Sequence, residues 1–182
     1  PIKNKIDSFS RKLDLESFFL LIKLTKHTYS NAKDKKLIEN QIENLINSGF
    51  RNIEISWSDN ENWLDYLSSL KLKFPKLNLG SASIVNKKSI DDSIKIGLGY
   101  SMMKFFDKEL LIYAKSKNHL LIPGIKSLND LKEALDLNCK IIKIYPVKDQ
   151  IELINISQYK NINFIAAGGL SISDLPLYKS LG

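Results

Sequence analysis

The sequence is poor in the residues that hold disulfides or metal ions. Its 182 residues include one cysteine, Cys139, and two histidines, His27 and His119. A lone cysteine excludes an internal disulfide and a multi-cysteine metal site, and it fits a reducing cytoplasm. Neither histidine has a cysteine or glutamate at ligand spacing. We therefore expect no metal and no other cofactor.

Glycine-rich motifs and long apolar runs are also missing. No Gly-x-Gly-x-x-Gly fingerprint follows an early strand, which counts against the commonest doubly wound dinucleotide-binding sheets. The early apolar stretch from Phe18 to Ile22 ends at Lys23 and is too short to span a bilayer. The first residues lack a signal-peptide pattern as well. We expect a cytoplasmic protein with no membrane partner.

Acidic residues are outnumbered, and the chain carries a net charge of +7. The lysines are scattered over several predicted helices and form no stripe interleaved with aromatic residues. This distribution does not favour nucleic-acid binding, so we expect no nucleic-acid partner. The positive field would instead favour an anionic metabolite such as a phosphorylated substrate.

The sequence does contain a regular alternation of short β-rich runs and helical segments, which is typical of repeated βα units. An amphipathic helix opens the chain at about residues 4 to 16. A second helix, Lys35–Ser48, has one apolar face and is followed by Gly49 in a C-capping position. The predicted strands are Phe18–Leu24, Asn52–Ser56, Leu77–Ser81, Gly99–Met102, His119–Ile122, Lys140–Tyr145 and Asn161–Ala166.

Side chains that could cap later helices occur between these strands. Asp59 or Asn60 could cap the helix after the second strand, Asn86 the next, and Ser127 the helix after the fifth strand. The resulting order of elements fits either a doubly wound open sheet or a (β/α)8 TIM barrel.

The barrel is favoured by polar residues near strand ends. We expect Glu54, Ser81 and Lys143 to face inward, whereas an open sheet buries apolar side chains on both faces. The sequence stops at Gly182, after a predicted helix Ser173–Ser180, where an eighth strand should begin. We therefore predict a single barrel domain, residues 1–182, with an N-terminal helix. Its eighth strand is missing, so we expect the domain to be truncated or incomplete at its C-terminus.

Two charged residues are each flanked by isoleucines, in Ile53-Glu54-Ile55 and Ile142-Lys143-Ile144. Strand neighbours point to opposite faces, so the isoleucines would face helices while Glu54 and Lys143 point together into the other side. Burial lowers a lysine pKa toward the range where the amine is nucleophilic, and a facing carboxylate then suggests imine chemistry. The alternative is a structural ion pair inside the barrel.

Several short motifs resemble the 2-keto-3-deoxy-6-phosphogluconate aldolase family, which also includes 4-hydroxy-2-oxoglutarate aldolases. The segments that carry the resemblance occur in the family's order: residues 49–55, ending in Ile-Glu-Ile; residues 80–84, Gly-Ser-Ala-Ser-Ile; residues 122–124, Ile-Pro-Gly; residues 143–146, Lys-Ile-Tyr-Pro; and residues 167–170, Ala-Gly-Gly-Leu.

This family consists of class I aldolase barrels, usually trimeric, that need no metal. The resemblance implies that Lys143 is the Schiff-base lysine and Glu54 the general acid and base. The reaction would cleave a 2-keto-3-deoxy-6-phospho sugar acid or 4-hydroxy-2-oxoglutarate to pyruvate plus an aldehyde. The expected partners are a small-molecule 2-keto acid, with or without a phosphate, and two further copies of the chain in a homotrimer.

The resemblance also implies substrate contacts. Ser83 would replace a family threonine as a hydroxyl donor, and Tyr145 would stand where an aromatic residue walls the pocket. Ala167 replaces the threonine that precedes the family's glycine pair. The threonine hydroxyl is therefore lost, and the backbone contacts of this position remain. Gly168 and Gly169 could hold a phosphate or carboxylate by backbone N–H groups near a helix start.

The chain departs from the family at two places. Ser58 stands where the family usually has an arginine that holds the pyruvyl carboxylate, and Met103-Lys104-Phe105 replaces Ser-Pro-Gly. Lys104 is a candidate for the lost positive charge. These departures support a second hypothesis, a catalytically altered barrel that acts as a binding or assembly protein. A third hypothesis is an unrelated phosphate-binding barrel, such as a synthase, in which Lys143 stabilises charge without a covalent bond.

Overall fold

The structure, a computed structural model, describes residues 2–15, 19–149 and 158–181. Short parallel strands alternate with helices along these ranges. The strands are β1 (Leu20–Ile22), β2 (Asn52–Ser56), β3 (Asn78–Ile84), β4 (Ser101–Met103), β5 (Leu121–Ile122), β6 (Gly124–Ile125), β7 (Ile141–Ile144) and β8 (Asn163–Ala166).

The helices fill the connections between the strands. No helix among the described residues is long and apolar enough to cross a membrane. A short 3-10 turn, Val147–Asp149, follows β7. A second one, Ile172–Asp174, precedes the last helix. The helices are α1 (Ile2–Leu15), α2 (Lys26–Ser30), α3 (Ala32–Asn47), α4 (Trp63–Lys73), α5 (Lys87–Ile96), α6 (Lys108–Ser116), α7 (Leu128–Asp136) and α8 (Leu175–Leu181).

The strands form two parallel sheets that meet at Pro123. One sheet has the order β1-β2-β3-β4-β5 and the other β6-β7-β8. Pro123 has no N–H to donate, so the ladder changes there, but its carbonyl accepts a hydrogen bond from the backbone N–H of Lys143 at 2.8 Å. The predicted fifth strand His119–Ile122 is therefore corrected to Leu121–Ile122, with Gly124–Ile125 continuing beyond the proline. The α/β class with parallel strands is confirmed.

The helix-facing side of the sheets is apolar, as the isoleucine pattern predicts. Ile53 and Ile55 have no exposed surface and pack with Ile42 of α3 and with α4. Ile142 and Ile144 pack in the same way beneath α7. Each fully buried isoleucine stabilises the fold by roughly 2 kcal/mol. The burial of these side chains therefore determines which face of each strand points toward the helices.

The opposite, inner face is also apolar toward the amino ends of the strands. Phe9 of α1 packs there with Tyr100, Met102, Ile122 and Ile141, which come from the β4, β5 and β7 regions. The ring of Phe9 meets the ring of Tyr100 edge to face, at 4.6 Å between centroids. Helix α1 therefore covers the inner face at the end away from the strand carboxyl ends.

Ser81 does not belong to the inner face, and this prediction was wrong. Its hydroxyl lies 2.7 Å from the hydroxyls of Ser93 on α5 and Ser101 on β4. The Ser101 hydroxyl in turn lies 2.7 Å from Nε2 of His119. Ser81 thus joins a buried polar chain on the helix-facing side, while its neighbour Gly80 lies on the inner face.

Two of the predicted helix caps are confirmed and one is wrong. Asn86 and Ser127 each accept a hydrogen bond from the backbone N–H three residues on, at the starts of α5 and α7. The residue that precedes α4 is Asn62, which has helical backbone angles and makes no side-chain cap. Asn60 instead accepts from the Asn62 N–H at 2.9 Å, so it shapes the turn before the helix.

His119 should make the stability of the fold depend on pH. Burial, helped by the charge of Lys5, lowers the pKa of its imidazole to about 4. An unfolded histidine titrates near 6.5, so between these values the unfolded chain binds the extra proton and stability is lost as pH falls. We expect the free energy of unfolding to drop by roughly 2 kcal/mol between pH 7 and pH 5 from this residue.

Urea unfolding at both pH values measures this effect. The matched variant is His119→Leu, in which the Ser101 hydroxyl keeps its contact with Ser81. The difference in stability between pH 7 and pH 5 should be smaller in the variant. Equal pH dependence in the two proteins would show that His119 is not the titrating group.

Candidate active site

Glu54 and Lys143 both lie on the inner face, in β2 and β7. Their flanking isoleucines pack on the helix-facing side. Because neighbouring strand residues point to opposite faces, both charged side chains point inward. Glu54 is 5% exposed and Lys143 is 8% exposed. The structure thus brings together the buried acid and the buried amine that the sequence pattern predicts.

Burial shifts the pKa values of both groups so that the neutral form of each is favoured. It raises the pKa of the Glu54 carboxyl to about 7, against the attraction of Lys143. It lowers the pKa of the Lys143 ammonium to about 8, against the attraction of Glu54. The two groups are therefore close enough for the charge of each to affect the pKa of the other.

Within the described residues, the pair makes no ion contact as short as 4.0 Å. Oε1 of Glu54 is buried and has no hydrogen-bond partner among these residues. A buried carboxylate oxygen that lacks a partner is costly, and such groups concentrate at sites that handle protons or substrate. This geometry differs from the direct ion pair of the structural alternative.

Tyr145 stands beside the amine. Nζ of Lys143 lies 5.7 Å from the centroid of the Tyr145 ring, which is half-buried. Gly168 packs against the same ring: a Cβ at this position would lie 3.1 Å from Cδ2 of Tyr145 and 3.0 Å from Pro146. Its φ of +101° also favours glycine. The structure therefore places Tyr145 and Gly168 next to each other.

Ala167 and Gly169 flank this glycine at the end of β8. The Ala167 N–H donates to the carbonyl of Ile144, and its own carbonyl accepts from the Val147 N–H, at 3.0 and 2.8 Å. These bonds tie the end of β8 to the segment after β7. Gly169 has open space around its Cα and a φ of +65°.

The helix predicted after the glycine pair begins with the 3-10 turn Ile172–Asp174 and continues as α8. Oδ2 of Asp174 accepts from the backbone N–H of Ser171 at 2.7 Å and from its hydroxyl at 2.9 Å. These bonds are the main cause of the lowered pKa of the Asp174 carboxyl. The backbone N–H and the hydroxyl of Ser171 are therefore already engaged by a carboxylate of the chain itself.

A pair of hydroxyls, Ser56 and Ser83, lies at the carboxyl ends of β2 and β3. Their oxygens are 2.9 Å apart, and Ser83 has a left-handed φ of +59° where the register of β3 shifts. Ser56 follows Glu54 by two residues and so shares its face. The sequence analysis missed Ser56, although the alternation of Asn52, Glu54 and Ser56 could have indicated it.

Ser58 and Lys104 occupy the two positions where the chain departs from the aldolase pattern. The hydroxyl of Ser58 accepts from the backbone N–H of Asn60 at 3.3 Å and brings no charge to the loop after β2. Lys104 is exposed after β4, and its ammonium lies 5.1 Å from the centroid of the Phe105 ring. His27, the other histidine, is exposed on α2.

Taken together, these features define an α/β protein whose parallel strands hold a lysine of lowered pKa and a carboxyl of raised pKa on one buried face. The family model for KDPG and KHG aldolases matches residues 28–182 of the chain. The names stand for 2-keto-3-deoxy-6-phosphogluconate and 4-hydroxy-2-oxoglutarate. The chain belongs to this family, and it is therefore an aldolase, an enzyme that cleaves carbon–carbon bonds.

Individual relatives agree with this assignment. The 2-dehydro-3-deoxy-phosphogluconate aldolase of Pseudoalteromonas atlantica is 25% identical over 167 residues, which cover 89% of this chain and 72% of that protein. The crystal structure of the 2-keto-3-deoxy-6-phosphogluconate aldolase of Zymomonas mobilis with 3-phosphoglycerate has a TM-score of 0.74 and 20% identity, covering 88% of this chain and 74% of that one.

A third relative is the KDPG aldolase of Legionella pneumophila, whose structure contains pyruvate captured at low pH as a covalent carbinolamine. It has a TM-score of 0.72 and 19% identity, covering 88% of this chain and 75% of that one. At these identities the solved structures support the fold. The family prediction made from the sequence motifs is confirmed by the family match.

Gly80 should be essential for the packing next to Glu54. It is the register partner of Glu54 across β2 and β3, and a Cβ at this position would overlap the ring of Tyr100. We expect Gly80→Ala to lower the free energy of unfolding by roughly 1–3 kcal/mol, because the buried ring has to move. Chemical denaturation measures the loss.

Gly99→Ala is the matched control for this substitution. A Cβ there would have its nearest neighbour, Oδ1 of Asn78, at 4.0 Å, so the change should be nearly neutral. If the two variants lost the same stability, the proposed overlap with Tyr100 would not be the cause.

Proposed function

We propose that this aldolase acts through an imine on Lys143, with Glu54 as the general acid and base. Its substrate is a 2-keto-3-deoxy-6-phospho sugar acid or 4-hydroxy-2-oxoglutarate, which it cleaves to pyruvate and an aldehyde. The observation that carries the proposal is the burial of Glu54 and Lys143 on the same inner face, which shifts their pKa values in opposite directions. The carbinolamine in the Legionella pneumophila relative supports the same covalent chemistry.

The first step uses the neutral amine. Burial lowers the pKa of Lys143 enough to leave a useful fraction of unprotonated Nζ near neutral pH. This nitrogen attacks C2 of the 2-keto acid to form a carbinolamine. Loss of water, with a proton supplied by the Glu54 carboxyl, then gives an iminium bonded to Nζ.

Cleavage follows from the positive charge of that iminium. The Glu54 carboxylate removes the proton from the C4 hydroxyl, the C3–C4 bond breaks, and its electron pair moves toward the iminium to form an enamine. The aldehyde leaves, and protonation of C3 regenerates an iminium, which water hydrolyses to pyruvate and free Lys143. A carboxyl with a pKa of about 7 suits both directions of proton transfer.

The remaining contacts are part of the same proposal. Tyr145 walls the site beside Nζ, and the hydroxyl pair of Ser83 and Ser56 donates to the substrate from the strand ends. The backbone of Ala167, Gly168 and Gly169 lies at the end of β8, where it can meet an oxyanion.

We further propose that the strands curve into a (β/α)8 barrel within a single domain. In support, inner-face side chains from β4, β5 and β7 converge with α1 on one apolar cluster. β5 and β6 share one strand position around Pro123, and the prediction that the eighth strand is missing stays a prediction. A homotrimer and a cytoplasmic location also stay predictions, both drawn from the family and the composition.

Trapping with pyruvate and sodium cyanoborohydride tests the covalent step. Peptide mass spectrometry should find a reduced pyruvyl adduct on Lys143, and Lys143→Met should abolish it. Lys140→Met, at the start of the same strand region, is the control and should label normally. An adduct on another lysine, or none in the folded wild-type protein, would reject the proposal in favour of a binding role.

The pH dependence of trapping tests the role of the pair. The labelling rate should rise with pH and reach half its maximum near pH 8, because the neutral amine is the nucleophile. Glu54→Gln removes the attraction that stabilises the ammonium, so the midpoint should move to lower pH while aldol cleavage is lost. A midpoint that stays fixed or moves up in this variant would show that Glu54 does not act on Lys143.

A further inference from the structure

A cavity of about 430 Å³ lies beside helix α1 at the amino ends of the strands. This is the end of the strands away from the hydroxyls and glycines of the proposed active site. The volume is sufficient for a small-molecule ligand. The cavity is here called the amino-end cavity, and the residues of its wall that matter below are Lys5, Phe9, Lys12, Asn78, Tyr100 and His119.

Helix α1 presents two lysines to this cavity. Lys5 and Lys12 are seven positions apart, which places them on the same face of the helix and about 10 Å apart along its axis. Phe9 lies between them, and its ring meets the ring of Tyr100. The wall of the cavity therefore has two separated cations with an aromatic surface between them.

Both ammonium groups have neutral partners. Nζ of Lys5 donates to the carbonyl of Asn118 at 2.7 Å, and Nζ of Lys12 donates to Oδ1 of Asn78 at 2.8 Å. Within the described ranges, neither ammonium lies within 4.0 Å of a carboxylate, and no acidic residue lines the cavity. Carbonyl and amide oxygens carry only partial charges, so the positive charge of this wall is not neutralised.

Other basic groups add to the positive potential of the amino-end cavity. Lys117 also lines it. The charge of Lys5 contributes to the lowered pKa of His119, which shows that these two groups are close together. Partial burial lowers the pKa of Lys12. An anion in the cavity would stabilise the charged forms of these groups.

The carboxyl end of α5 does not cancel this charge. The carbonyls of Ile96 and Gly97 accept hydrogen bonds from Nζ of Lys71, at 2.8 and 2.6 Å. A helix carboxyl end repels anions through its unpaired carbonyls. Here those two carbonyls are already paired with a cation.

We propose that the amino-end cavity is a second ligand site, in which Lys5 and Lys12 bind an organic dianion that has an acidic group at each end. The rings of Phe9 and Tyr100 contact the body of the ligand between its two charges. A molecule bound here does not occupy the place of the 2-keto acid, because the site lies at the opposite end of the strands. The inference does not depend on the proposed imine at Lys143.

Three probes with the same sugar ring test the number of charges that the cavity requires. They are glucose 1,6-bisphosphate, glucose 1-phosphate and methyl glucoside, which have two, one and no phosphate groups. None has a free carbonyl group, so none can form an imine with a lysine. The bisphosphate should bind at least about tenfold more tightly than the monophosphate, and the uncharged glucoside should not bind.

The two histidines of the chain report where a probe binds. His119 lines the amino-end cavity, whereas His27 is exposed on α2, which follows β1 at the other end of the strands. Titration is followed by the imidazole Hε1 resonances in NMR spectra. Glucose 1,6-bisphosphate should shift the His119 resonance in a saturable way and leave the His27 resonance in place.

Two pairs of substitutions on α1 test the lysines. In the variant with Lys5→Met and Lys12→Met, the affinity for the bisphosphate should fall at least about tenfold. The variant with Lys5→Arg and Lys12→Arg keeps both charges and should retain binding. The matched control is Lys3→Met with Arg11→Met, which removes two exposed cations of the same helix that do not line the cavity, and it should bind as the wild-type protein does.

Several results would overturn the inference. They are a wild-type protein that does not bind the bisphosphate, a shift of His27 alone, and equal affinity for the bisphosphate and the monophosphate. Equal losses in the Lys5 and Lys12 variant and in the Lys3 and Arg11 control would show attraction by net charge alone. Pyruvate trapping on Lys143 decides the proposed function separately, and neither of its outcomes changes the expected binding here.

Discussion

The burial of two ionisable groups on one inner face is the constraint on which the rest of the structure depends. A lysine whose pKa falls from 10.5 to about 8 has lost roughly 3 kcal/mol of preference for its charged form. Burial likewise disfavours the charged form of Glu54 and raises its pKa. The fold offsets this cost with apolar side chains on the other face of the same strands. Because strand alternation has a period of two, a slip of one residue would turn those isoleucines toward the inner face and both ionisable groups toward the helices.

The two ends of the strands are therefore built differently. At the amino ends, Phe9 and Tyr100 fill the inner face, and Gly80 leaves room for the Tyr100 ring beside Glu54. At the carboxyl ends, hydroxyls, glycines and an aromatic ring follow the buried pair. Packed side chains below the pair keep water away from it on that side, which maintains the shifted pKa values. Contacts above it can vary without loss of the core.

Local patterns predicted some features and failed at others for identifiable reasons. The Ile-Glu-Ile and Ile-Lys-Ile triplets mark their faces because a charge between two β-branched residues leaves a single consistent orientation. Residues 80–82 are all small, so hydrophobicity does not distinguish their faces, and Ser81 was placed on the wrong side. Pro123 was not recognised as the point where the ladder changes. The contacts of Lys126 with Phe105, and of Ser56 with Ser83, join distant segments, and no periodicity within a single segment reveals them.

The lysines near the carboxyl ends of the strands lie in two different environments, one buried and one exposed. Burial lowers the pKa of Lys143 against the attraction of Glu54, and the proposed mechanism uses the neutral amine that results. Lys104 and Lys126 are exposed, and their ammonium groups lie over the ring of Phe105. The aromatic pair of Tyr145 and Phe105 separates the two environments. The loops that carry the exposed lysines can therefore change while the buried environment of Nζ of Lys143 stays the same.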